Sequence, residues 1–116
     1  MKPLFAKTFT GARPRRPGDL RARPLDVEVF DIDGKRWVKA MRLATMLGIS
    51  TSTLRHALKT SPEFQSDRHN QLVNLEGESG GPVRMLTVEG ARHLIGLSPP
   101  RRRIAVKAFL DEIDRH

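Results

Sequence analysis

The sequence predicts an α+β domain preceded by a flexible basic arm. Three observations carry this expectation. Apolar residues alternate on either side of an Asp-Gly pair early in the chain. A second pair of short alternating runs flanks a glycine-rich tip near the middle. Between and after these, apolar residues recur at helical spacing and are punctuated by capping residues. The expected order is arm, ββ, αα, ββ, αα.

"DVEVFDIDGKRWVKA", residues 26–40, reads as a hairpin. Val27, Val29 and Phe30 form one arm and Arg36, Trp37 and Val38 the other. Asp33-Gly34 supplies the turn, because glycine accepts the positive φ that a two-residue connection needs. "AMRLATMLG" follows, with Met41, Leu43, Ala44 and Leu47 at helical spacing and Gly48 as the terminator. Ser50 or Thr51 then caps a second helix reaching about Lys59, with Leu54 and Leu58 inward and Pro62 limiting its extension.

Residues 61–71 read as polar loop, and 72–86 as a second hairpin with arms Leu72–Leu75 and Val83–Leu86. Thr87 is the expected cap of a helix facing inward through Val88, Ala91, Leu94 and Ile95. Ser98 is the expected cap of a last helix from about Pro100 to Asp114, with proline at its first position. Ala105, Phe109 and Ile113, flanked by Ile104 and Ala108, form its expected inner face.

Composition narrows the function classes. The chain has 116 residues, enough for one domain, and apolar residues make up 38%. A core this small makes dimerisation an expected supplement. The net charge is +8, from 21 Lys and Arg against 13 Asp and Glu. A basic, arginine-rich surface attracts a polyanion and releases its counterions. There is no cysteine, so neither disulfides nor a thiolate metal site are available. No apolar run approaches the roughly 20 residues that span a bilayer, and residues 1–18 lack the apolar core of a secretory signal. A soluble, cytoplasmic protein without membrane contact is expected.

Residues 1–26 carry four of the eight prolines and seven basic residues against two acids. They read as the flexible arm, separate from a domain over 27–116. Arg13, Arg15 and Arg16 are its candidate phosphate or minor-groove contacts. The other reading is a solvated tail, or an arm docking on a partner subunit through Leu4, Phe5 and Phe9.

The stretch "MLGISTSTLRHALK", residues 46–59, fits a helix-turn-helix pattern. Ala44 is the small residue of the first helix, and Gly48 makes the turn four residues later. Ile49 is the buried aliphatic, Ser50 the cap, and Leu54 packs back. The outer face of the second helix then carries Thr51, Ser52, Thr53, Arg55, His56 and Lys59. Hydroxyls at the start of a helix reach phosphates or base edges, and arginine pairs with guanine in the major groove. The bland alternative is a solvated helical hairpin.

Arg101, Arg102 and Arg103 open the last helix, where positive charge opposes the macrodipole. A bound phosphate, or carboxylates from a neighbouring helix or subunit, would compensate them. No catalytic or metal constellation is found. His56, His69, His93 and His116 are scattered, His93 reads as structural, and "GESGG" at 77–81 lacks the context of a phosphate loop. Asp111, Glu112 and Asp114 read as solvated helix charges. No cofactor and no enzymatic activity are expected.

Residues 27–115 resemble the BRO-N domain, the amino-terminal module of phage antirepressors and related proteins of large DNA viruses. The resemblance rests on "VFDIDGKRWVKAMRLATMLGIS" and "MLTVEGARHLIGLSPPRRRIAVKAFLDEI". These contain the hairpin leading to a leucine-glycine helix end, the Glu89-Gly90 pair, Ser98 with Pro99 or Pro100, and Ala105 with Phe109. It implies an α+β module that binds double-stranded DNA in viral or prophage gene regulation. The expectation is therefore a homodimeric DNA-binding transcription regulator; the alternative is an antirepressor or transcription inhibitor acting on a host or phage regulatory protein.

Overall fold

The computed structural model describes residues 2–10, 24–75 and 80–116. The fold is α+β, as expected: five antiparallel strands carry helices on one face. The strands are β1 (Phe5–Phe9), β2 (Leu25–Ile32), β3 (Lys35–Lys39), β4 (Asn70–Val73) and β5 (Val83–Thr87). Their spatial order is β1-β2-β3-β5-β4. Both expected hairpins are present, the first arm of the second lying at Asn70–Val73 and not at Leu72–Leu75, and they share one sheet, because β3 pairs with β5 through Val38 and Leu86.

β2 and β3 pair with Val29 opposite Val38 and Phe30 opposite Trp37. Asp33 and Gly34 both have positive φ, 54° and 80°. This is the mirror-image turn whose twist matches the flanking strands. The alternation then divides the sheet. Val27, Val29, Val38 and Leu86 face the helices in the main core. Phe30, Trp37 and Met85 face the other way and form a second cluster with Leu75. The Trp37 indole N–H donates to the Ile32 carbonyl at 3.3 Å.

α1 (Ala40–Leu47) follows β3 directly and ends at Gly48 with φ 74°. α2 (Thr51–Thr60) starts from Ser50, whose hydroxyl accepts the Thr53 N–H. α3 (Val88–Arg92) is a short helix capped by the Thr87 hydroxyl, as expected, and continues into a 3-10 turn at Ile95–Leu97. α4 (Pro100–Arg115) crosses the sheet and buries Val106, Phe109, Leu110 and Ile113.

Four further expectations are corrected. The arm does not begin at residue 1. Phe5–Phe9 is strand β1, in register with Leu25–Val29, and its Phe9 is 2% exposed. Pro3 and the basic residues hide a five-residue alternation whose Phe5, Lys7 and Phe9 face α4. Phe9 meets Phe109, Phe5 stacks on His116, and Lys7 pairs with Glu112 at 2.8 Å.

The loop expected at 61–71 contains a 3-10 turn at Pro62–Phe64 and the start of β4. Phe64 and His69 are buried there.

The inner face of α4 is rotated from the expected one. Val106 and Leu110 replace Ile104 and Ala108, and Ile104 is 79% exposed.

Ser98 does not cap α4. Pro99 holds that position without a side-chain bond, and the Ser98 hydroxyl is used elsewhere.

Candidate nucleic-acid interface

α1 and α2 position the candidate groove-reading side chains. The amphipathic pattern turns Leu54 and Leu58 into the core. Ser52, Thr53, Arg55, His56 and Lys59 consequently stand exposed, while Thr51 is half-buried. Ala44 is buried as the pattern requires; Ile49 is only partly buried against the core. The Ser50 and Thr53 hydroxyls also bond each other at 2.9 Å, so Thr53 completes the helix cap. Arg55, His56 and Lys59 have no ion-pair partner among the described residues.

A further cation, Arg42, was not expected at this surface. It is exposed on α1, also without an ion pair among the described residues. The signal that marks it lies in the sequence: residues 40–62 contain no Asp or Glu, and neither do residues 90–110. These two stretches hold eight Lys and Arg, which leaves the rest of the chain balanced at 13 of each sign. The fold joins them. The Ser98 hydroxyl donates to the Leu47 carbonyl at 2.5 Å, and Arg102 Nη1 donates to the Thr45 carbonyl at 3.3 Å. The acid-free turn between α1 and α2 therefore adjoins the acid-free start of α4.

The three arginines of α4 divide. Arg101 is exposed and has no ion-pair partner among the described residues. Arg102 reaches back to α1. Arg103 folds over the preceding turn, with Nε donating to the Ser98 carbonyl at 2.8 Å and Nη2 to the Gly96 carbonyl at 2.9 Å. The expected compensation by phosphate or carboxylate is met for Arg102 and Arg103 by main-chain carbonyls instead. Arg13, Arg15 and Arg16 lie outside the described residues.

The acidic groups gather at the opposite end of α4. Arg92 of α3 donates to Asp111 at 2.7 Å and to Asp114. The hydrogen bond from Arg92 holds the Asp111 carboxyl below its ordinary range, and Lys7 does the same to Glu112. The Asp114 and Asp111 bonds in turn raise the Arg92 guanidinium above its ordinary value.

His69 is 6% exposed, with Nδ1 at 2.7 Å from the Thr87 hydroxyl. Thr87 also accepts the Gly90 N–H at 2.9 Å. Burial pushes the His69 imidazole below its ordinary pKa, against the pull of Glu89 and with smaller help from Arg68, Lys35 and His93. His69 thus ties the start of α3 to the loop before β4. His93, expected as a structural residue, is exposed at the end of α3, 3.9 Å from Glu63.

Among the described residues no helix is long and apolar enough to cross a membrane, and no cluster of His, Asp and Glu could hold a metal ion. No family model, curated protein or solved structure matches this chain.

Proposed function

We propose that this protein is a small regulator that binds double-stranded DNA through the α1–α2 pair and the amino end of α4, in the manner implied by its resemblance to BRO-N modules of phage and viral proteins. The observation that carries the proposal is the outer face of α2. Ser52, Arg55, His56 and Lys59 stand exposed on a helix that follows a tight glycine turn, within 23 residues free of any acid.

A duplex is flanked by phosphates, so a face free of acids meets no repulsion there, and its hydroxyls and cations find acceptors on phosphates and base edges. Arg55 and His56 are the base-edge contacts in this reading. Arg42, Lys59 and Arg101 hold the backbone on either side, joined by Arg13, Arg15 and Arg16 of the basic segment. Two copies would read two half-sites related by the two-fold axis of the dimer.

The test is selection of bound sequences from random duplex DNA, followed by titration of the enriched duplex against salt. Enriched, two-fold-related half-sites and an affinity falling steeply with salt are expected. Affinity that is flat with salt, or selection without enrichment, overturns the reading.

A further inference from the structure

We infer that Arg102 and Ser98 form a polar clamp that fixes the exit of α2 from α1, and that Arg102 is a positioning residue for the reading face, not a phosphate contact. The consequence for recognition rests on the DNA-binding reading above; the clamp itself does not.

The argument begins with the end of α1. A helix leaves its last carbonyls without internal partners and carries a partial negative charge there. Here the Gly48 N–H bonds the Thr45 carbonyl and the Ile49 N–H bonds the Ala44 carbonyl, both at 3.1 Å. Two carbonyls of this end are also reached from more than 50 residues further along the chain. Arg102 Nη1 adds a second bond to the Thr45 carbonyl, and the Ser98 hydroxyl, on a residue only 1% exposed, takes the Leu47 carbonyl. Arg102, unfavourably placed for its own helix, is thus favourably placed at the negative end of another.

Gly48 makes this approach possible. Its φ of 74° already favours glycine. A Cβ there would also lie 2.4 Å from Arg102 Nη1 and 3.1 Å from Cζ. The guanidinium therefore occupies the space beside the turn where a side chain would otherwise stand.

Only Ile49 separates Gly48 from the Ser50 cap of α2. A shift at Thr45–Gly48 is therefore passed directly to α2. A ten-residue helix is about 15 Å long, so a tilt of roughly 10° displaces its far end by about 2.5 Å. Lys59, near that end, moves by about 2 Å and Arg55, at mid-helix, by about 1 Å, which stretches a hydrogen bond from either to a duplex beyond its normal length.

The experiment compares Arg101→Ala, Arg102→Ala and Arg102→Lys in the full chain. It measures affinity for the selected duplex and for a random-sequence duplex across a salt series, with amide hydrogen exchange on the free protein. Arg102→Ala should lose at least tenfold of the preference for the selected duplex while its salt slope stays that of the unmodified protein. Arg102→Lys should recover most of that preference, since an ammonium can still donate to the Thr45 carbonyl. Arg101→Ala should weaken both duplexes alike and reduce the slope by about one. On the free protein, Arg102→Ala should speed exchange at Gly48 and Ile49 at least tenfold while β2–β3 amides are unchanged.

A uniform loss with a reduced slope for Arg102→Ala makes Arg102 a phosphate contact and overturns the inference. Unchanged exchange at Gly48 and Ile49 overturns the clamp. If the unmodified protein binds no duplex, the DNA reading falls, and the exchange result alone decides the clamp.

Discussion

Phe9 meets Phe109 edge-on, with ring centroids 5.4 Å apart and planes at 90°, joining the first strand to the last helix. Both rings belong to the main core, with Phe9 2% and Phe109 5% exposed. Truncating a buried phenylalanine removes its transfer free energy and leaves a cavity, at a cost of about 3–5 kcal/mol. Phe9→Ala should therefore lower unfolding free energy by about 3 kcal/mol, read from urea denaturation. Removing residues 1–10 should destabilise the domain and not merely weaken its grip on a polyanion. A denaturation midpoint unchanged by Phe9→Ala would return this segment to the status of a tail.

The Ser50 hydroxyl accepts the Thr53 N–H at 3.1 Å and closes the first turn of α2. Loss of such a cap costs about 1 kcal/mol. Ser50→Ala should lower stability by about that amount, and Ser50→Asp should restore it, because a carboxylate both accepts the same bond and suits the positive end of the helix. Chemical denaturation of the three proteins checks both directions. Equal stability of Ser50→Ala and the unmodified protein would mean that the bond contributes nothing.

These two cases show what the sequence makes legible. Ser50, Gly48 and the Asp33-Gly34 turn are local signals: each residue type meets a backbone demand within four residues of itself. The helices and both hairpins could be read from them. β1 could not, because a five-residue alternation among lysines and prolines becomes a strand only by pairing with β2, and nothing near Phe9 announces Phe109. The face of α4 was misjudged for a related reason. Ile104 and Val106 are equally apolar, and the choice between them is made by which side meets the sheet. The outward face of α2 was legible because Leu54 and Leu58 fix what faces in. Arg102 was legible as an anomaly and Ser98 was misread as a cap, because their partners on α1 lie about 50 residues earlier and required the fold.

Gly34 and Gly48 both have positive φ, yet only Gly48 has another residue against it. A Cβ at Gly34 would meet nothing within 4 Å. Gly34→Ala should therefore cost only the left-handed backbone strain, about 1–2 kcal/mol. Gly48→Ala should cost more, because the Arg102 guanidinium must also move. In the Arg102→Ala background the excess should disappear. A double-mutant cycle on unfolding free energy measures this coupling, and a coupling of zero would show that the guanidinium yields without resistance.

His69 makes stability depend on pH. Its pKa in the folded protein lies below the ordinary 6.5 because the ring is buried, so the folded state resists a proton that the unfolded chain accepts. The contribution is fully present above about pH 6.5 and is lost as pH falls from there towards the depressed value. Stability should thus rise with pH in this window, by no more than about 1.4 kcal/mol per unit for one proton. His69→Gln keeps a hydrogen-bonding group for Thr87 and removes the titration, so it should flatten the slope. Urea midpoints between pH 5 and 7.5 decide the matter; the same slope in His69→Gln would assign it to other groups.

Arg55 should separate recognition from folding. Its side chain is exposed on α2 and has no ion-pair partner among the described residues, so Arg55→Ala should change unfolding free energy by no more than about 0.5 kcal/mol. A bidentate arginine–guanine contact carries about 1–3 kcal/mol of discrimination against the wrong base. Selection from random duplexes with Arg55→Ala should accordingly lose preference at one base pair of each half-site while the remaining positions keep theirs. Lys59→Ala should instead weaken every duplex alike. If Arg55→Ala preserves the whole enriched sequence, α2 is not the reading element, whatever its charge.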